Sequence, residues 1–132
     1  MEYNGGSLAF VGDAYLTLVV RKYLLESGIT KGNTWLKWSN YFVSGLYQAK
    51  FCDYLLALDF LVEEELIYYR RGYNYKNKSV AKNVDILSYR KATGLEAVFG
   101  YLYIIDNQKR LNDIWEKYRN FVEDNYGRIC LR

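Results

Sequence analysis

Apolar residues recur every three to four positions along almost the whole chain, the spacing of helices that bury one face. The stretch "SLAFVGDAYLTLVV" and its continuation predict a first helix with Ser7 as N-cap, behind the flexible pair Gly5 and Gly6. It should run to about Glu26 and stop at Gly28, a residue suited to the left-handed position after a helix. Up to Val20 this helix is apolar on most of its surface, which predicts a place at the centre of the core. "NTWLKWSNYFVSGLYQAKFCDYLLAL" predicts two helices joined around Val43–Gly45. "LVEEELIYYRRG" predicts another, with Glu63, Glu64 and Glu65 in its first turn and Arg70 and Arg71 in its last, matching the macrodipole at both ends. A polar loop, "YNYKNKSVAKN", follows. "DILSYRKATGLEAVFGYLYII" predicts a long helix whose second half is as apolar as the first helix. "NQKRLNDIWEKYRNFVEDN" predicts a final amphipathic helix with Leu111, Ile114, Trp115, Tyr118, Phe121 and Val122 on one face. No repeat or linker-like segment interrupts the series. The pattern defines an all-α fold of six or seven helices in a single domain, residues 1–132.

Composition narrows the chemistry. The chain has no histidine, which removes His-dependent nucleophilic and general-base catalysis and every His-ligated metal site. Hydrolytic chemistry would have to rest on carboxylates, lysines, tyrosines or a metal held by oxygen ligands. With no proline, no helix interior is broken by one. Hydrophobic residues make up 51% of the chain and aromatic ones 18%, which argues against disorder. No apolar run reaches the roughly 20 residues of a membrane span. The opening "MEYNGG" lacks the basic and apolar regions of a signal peptide. Cys52 and Cys130 form no metal-binding or CxxC pattern and read as free thiols of a cytoplasmic protein.

Against this background two acids stand out. Asp13 lies among Leu8, Phe10, Val11, Leu16 and Leu18, where a carboxylate is costly to bury without a partner. Glu96 is the only acid between Lys91 and Ile105. Each has small residues nearby: Ala9 and Gly12 in the first helix, Ala92 and Gly100 in the other. Helices crossing at those positions would bring the two carboxylates face to face, and a divalent cation would relieve their repulsion. Two other readings stay open: separate pairing of each acid with a base such as Arg21 or Arg90, and exposure at an edge.

A net charge of +3 says little about partners, but its distribution says more. Between Leu66 and Val84 lie Arg70, Arg71, Lys76, Lys78 and Lys82, without an acid and interleaved with Tyr68, Tyr69, Tyr73 and Tyr75. Such a segment suits phosphates, sugars and groove edges of nucleic acid, with salt-sensitive binding. It equally suits a solvated surface loop following an ordinary helix C-terminus.

The two acidic stretches also match a pattern. "LAFVGDAYL" resembles the signature segment of ribonuclease III catalytic domains, L-E-F-L-G-D-A-V-L, and "TGLEAVFGYLY" resembles their second acidic segment, D-A-L-E-A-L-I-G-A-I-Y. Ala9 stands where the first has its glutamate and Thr93 where the second has its aspartate, so Asp13 and Glu96 are what remains of four acids. Those departures resemble the Mini-ribonuclease III branch. So do "NGGSLAFVGDA", "FVSGLYQA", "EEELIYYRRGYN" and "KNVDILSYRKATGLEAVFGYLY", and the resemblance covers essentially the whole chain. The chain ends soon after the last helix, so the double-stranded-RNA-binding domain of long ribonuclease III enzymes is expected to be missing.

The resemblance implies a ribonuclease III-type helical endonuclease domain and a cytoplasmic homodimer. It implies Mg²⁺-dependent hydrolysis of double-stranded RNA to 5′-phosphate and 3′-hydroxyl ends, with Mn²⁺ as a substitute metal. It implies Asp13 and Glu96 as catalytic residues and metal ligands. The natural substrate it implies is precursor ribosomal RNA of the large subunit. Arg70, Arg71, Lys76, Lys78 and Lys82 are the expected RNA contacts. Two readings compete with the nuclease: a non-catalytic double-stranded-RNA-binding protein of the same fold, and a helical protein–protein module.

Overall fold

The computed structural model describes residues 3–76 and 85–127. These contain six helices and no strand: α1 (Gly5–Glu26), α2 (Gly32–Val43), α3 (Gly45–Ala57), α4 (Glu63–Tyr73), α5 (Ile86–Ile104) and α6 (Gln108–Tyr126). None of them is long and apolar enough to cross a membrane.

Helix α5 is the axis of the fold. From Ala92 to Leu102 every residue except Glu96 is buried, because α1, α3, α4 and α6 pack around it. Leu95, Val98 and Phe99 are fully enclosed, each worth about 1.5–3 kcal/mol of burial. Helix α6 contributes the apolar stripe expected of it, Leu111, Ile114, Tyr118 and Val122, with Trp115 and Phe121 at its margins. Phe51 stacks on Tyr118 with ring centroids 3.9 Å apart, joining α3 to α6.

Glycines set the closest approaches. A Cβ on Gly12 would lie 1.8 Å from the carbonyl oxygen of Glu96, and one on Gly100 would lie 1.9 Å from that of Leu8. Only glycine permits α1 and α5 to touch backbone to backbone at this crossing.

The structure corrects two expectations about α1. Its N-cap is Asn4, whose side chain accepts from the Ser7 N–H at 2.8 Å, and not Ser7. Gly5 and Gly6 belong to the first turn, where a Cβ on Gly5 would meet the Arg71 carbonyl oxygen at 2.2 Å. Nor is α1 buried all round. Leu8, Leu16, Val20 and Leu24 form its core stripe, while Phe10 is 82% exposed and Leu18 69%. The core takes up one face of α1 and leaves its opposite apolar face open.

Three helices end in the same way. The N–H of Ile29, Phe60 and Asn107 reaches back to the carbonyl of Leu24, Leu55 and Leu102 respectively, closing the Schellman turn. Gly28 supplies the positive φ after α1, as expected. Asp59 and Asp106 take the equivalent places after α3 and α5, with φ of 54° and 60°. A short polar side chain tolerates that conformation better than other L-residues do.

Candidate active site

The α1–α5 crossing carries two carboxylates outward. Asp13 directly follows the contact glycine Gly12 and is exposed, while Glu96 is part-buried on the facing turn of α5. Their side chains lie close enough for Asp13 to act on the Glu96 carboxyl. The Glu96 carboxyl is pushed up to about 9, first by burial and then by the hydrogen bond and negative charge of Asp13. A hydrogen bond from Gln48 acts in the opposite direction, favouring the ionised form.

The two bases considered as separate partners lie elsewhere. The Arg90 guanidinium sits over the ring of Tyr73, 5.7 Å from its centroid. Arg21 is eight residues beyond Asp13 on α1, about 12 Å along the axis. The pair is therefore an acid facing an acid.

The positions of the two departing acids are also defined. Ala9 is buried in the core. Thr93 is buried too, and its hydroxyl donates to the Tyr89 carbonyl of its own helix at 2.9 Å. Among the described residues no group of three or more potential metal-ligating side chains exists. A cation held here would have two protein carboxylates. That oxygen-only set fits Mg²⁺, which commonly takes one or two carboxylates and completes its shell with water and substrate phosphate.

Behind Glu96 lies a residue that the sequence reading did not single out. Gln48 is 1% exposed, and its Nε2 donates to the Phe42 carbonyl at 3.0 Å. A signal was there: with Phe51, Cys52 and Leu55, Gln48 shares the buried stripe of α3, where an amide is out of place.

Part of the basic segment lies within the described residues. Arg70 and Lys76 are exposed. Arg71 lies over the Tyr68 ring, 4.9 Å from its centroid, and donates to the Tyr3 carbonyl at 3.5 Å. Lys78 and Lys82 lie outside the described residues, as does Cys130; Cys52 is a buried free thiol. The last turn of α4 touches α1 at Gly5 and α5 at Thr93–Ala97, through close contacts of Gly72. Arg71 thus lies against the N-terminal end of α1, about 12 Å along the axis from Asp13.

A helical scaffold with paired carboxylates at its central crossing matches a known family. Residues 6–107 match the model of the Ribonuclease III domain, and the chain belongs to the ribonuclease III family of endoribonucleases. A crystal structure of a Fusobacterium nucleatum protein superposes with a TM-score of 0.75 at 30% identity, covering 86% of this chain and 88% of that one. The chain is 40% identical to Mini-ribonuclease 3 of Enterococcus faecalis over 86% of each chain. It is 35% identical to that of Staphylococcus aureus, over 92% of this chain and 90% of the other. Within the family its place is the Mini-ribonuclease 3 branch.

Proposed function

We propose that the protein hydrolyses double-stranded RNA in a Mg²⁺-dependent reaction at the Asp13–Glu96 pair. The observation that carries this reading is the pair of carboxyl groups brought together at the Gly12–Glu96 crossing of α1 and α5, where burial and the neighbouring Asp13 raise the proton affinity of Glu96. Such a pair gains from a cation placed between its members. When bound, Mg²⁺ supplies Lewis acidity toward the scissile phosphate and toward the attacking water; Mn²⁺ has the same preference for oxygen ligands. Asp13 and Glu96 hold it, and the exposed Asp13 carboxylate also accepts a hydrogen bond from the water and orients it. Attack at phosphorus expels the 3′ oxygen and leaves 5′-phosphate and 3′-hydroxyl ends.

Arg70, Arg71, Lys76, Lys78 and Lys82 provide phosphate and groove contacts along the duplex, so binding weakens with salt. An A-form duplex is read chiefly through its shape and 2′-hydroxyls, which gives modest sequence preference. The working unit is a homodimer, in which each subunit cuts one strand. The open face of α1 supports this: Phe10, Leu18 and Leu25, the last 62% exposed, line up along it at helical spacing. The natural substrate is precursor ribosomal RNA of the large subunit, met in the cytoplasm.

The test is Asp13→Asn and Glu96→Gln, assayed separately for cleavage and for duplex binding. Cleavage should fall at least about 1,000-fold, which is some 4 kcal/mol of transition-state stabilisation, while binding persists. Cleavage at near parental rate by either variant would overturn the shared-metal site. Duplex binding by the parent without Mg²⁺-dependent cutting would select the non-catalytic reading instead.

A further inference from the structure

Gln48 is held more tightly than packing requires. Helix α2 ends at Val43, so the Phe42 carbonyl lies in its last turn without a helical donor. Two side chains from other helices satisfy it: Gln48 Nε2 from α3 at 3.0 Å and the Tyr118 hydroxyl from α6 at 2.9 Å. A carbonyl only accepts hydrogen bonds, so the amide must turn its nitrogen, and not its oxygen, toward Phe42. Its nitrogen carries two protons, and the one not directed at Phe42 is available to Glu96, whose carboxyl Gln48 biases toward the ionised form. Tyr118 is itself immobilised, being fully buried and stacked on Phe51. The chain of contacts therefore runs from the core, through a rigid carbonyl and an amide of fixed orientation, to one carboxylate of the acidic pair.

We propose that Gln48 is a positioning residue for the metal site: its amide N–H, aimed by the Phe42 carbonyl, holds the Glu96 carboxylate in the rotamer that faces Asp13. This rests on the metal-dependent reading above and assigns an outer-shell partner to a ligand in a site with few acids. With only two protein carboxylates, each ligand's orientation counts for more than it would among four. The amide also suits the task chemically, since it donates to the ionised carboxylate that a cation needs. An apolar side chain of equal length would fill the same volume and spare the burial of an amide, yet would leave Glu96 free to turn.

The experiment compares the parent, Gln48→Met, Gln48→Asn, Asp13→Asn and Glu96→Gln. Binding of Mn²⁺ alone is followed by titration calorimetry, together with kcat, KM for duplex RNA, and melting temperature. Gln48→Met should bind Mn²⁺ about 10-fold more weakly or worse and lose about 10–100-fold in kcat, with KM within about 2-fold of the parent. Gln48→Asn, which keeps an amide but is one methylene too short, should lose Mn²⁺ affinity in the same sense. It serves as the deciding variant if Gln48→Met fails to fold. A merely structural role would lower the melting temperature and leave Mn²⁺ affinity and kcat of the folded protein within about 2-fold of the parent; that result overturns the proposal. If Asp13→Asn and Glu96→Gln lose Mn²⁺ binding and the Gln48 variants do not, the positioning role alone fails. If the two acid variants bind Mn²⁺ like the parent, the metal reading fails, and the role of Gln48 falls with it.

Discussion

Glu65 and Glu96 are both acids set into the helical core, and they end in opposite states. The Glu65 side chain is 2% exposed and fully matched. Arg110 grips it with two parallel hydrogen bonds of 2.7 and 2.8 Å, and the Val62 N–H adds a third at 3.0 Å, which also closes the start of α4. The guanidinium donates further to the Phe60 carbonyl at 3.1 Å and lies over the Phe60 ring. Glu96 has one neutral donor, Gln48, and faces a second acid. The first arrangement is complete within the chain and ties α4 to the start of α6. The second is incomplete in charge and lies where solvent can reach Asp13. An acid whose partner is supplied by the fold acts as a structural strut, and one that faces a second acid leaves charge for something outside the chain to match.

The contrast breaks most visibly at Arg110. Arg110→Met should cost about 3–5 kcal/mol in chemical denaturation, because it leaves the Glu65 carboxylate buried and uncompensated. Cleavage by the protein that remains folded should stay near the parental rate. Replacing both partners, Glu65→Leu with Arg110→Met, should recover most of the loss, since an apolar pair carries no unmatched charge. A loss below about 1 kcal/mol for Arg110→Met would mean that the pair is no strut and that the comparison fails.

Glu96 should make stability depend on pH. Its folded-state affinity for a proton, at about 9, exceeds the ordinary value of 4.5, so the folded state holds more protons than the unfolded one between those limits. Metal-free stability therefore falls as pH rises from about 4.5 toward 9, by at most about 1.4 kcal/mol per unit. Glu96→Gln should flatten this slope, matching the parent near pH 5 and exceeding it by roughly 2 kcal/mol or more near pH 8. Denaturation at both pH values with a chelator present measures this. An unchanged slope in Glu96→Gln would locate the pH dependence elsewhere.

Much of this is legible in the sequence, for reasons that differ by residue. The break between α2 and α3 at Ser44 showed because local signals make it: Ser44 caps both helices, donating its N–H to the Asn40 carbonyl and accepting from the Tyr47 N–H through its hydroxyl. The small residues around Asp13 and Glu96 showed where two helices would cross, since close approach needs glycine whatever the rest of the fold does. Asn4 was missed because Gly5 and Gly6 read as flexibility; only the Arg71 backbone and the Tyr75 ring, far along the chain, show them to be points of contact. Asp59 and Asp106 do not stand out in the sequence, because glycine is the usual residue at a left-handed helix end. Gln48 was missed because its partners, Phe42 and Glu96, come from different helices and define its role only when folded. The open face of α1 lay beyond sequence reading for a similar reason. Hydrophobicity says that a face wants cover, and packing alone says whether the same chain supplies it.

The smallest effect sharpens the comparison most economically, because it changes burial while holding distance nearly constant. Lys109 and Asp113 meet at 2.9 Å on α6, next to Arg110 and almost as close as Arg110 and Glu65. Their side chains are 83% and 34% exposed, so water screens the attraction and the lysine gives up rotamer freedom to make it. The order is also unfavourable, with the base N-terminal to the acid and in the first turn of the helix, where the macrodipole repels a cation. Lys109→Ala should change stability by less than about 0.5 kcal/mol, and added salt should shift parent and variant alike. A loss approaching that of Arg110→Met would show that proximity, and not burial, sets the strength of these pairs. The distinction between a complete and an incomplete buried acid would then lose its physical basis.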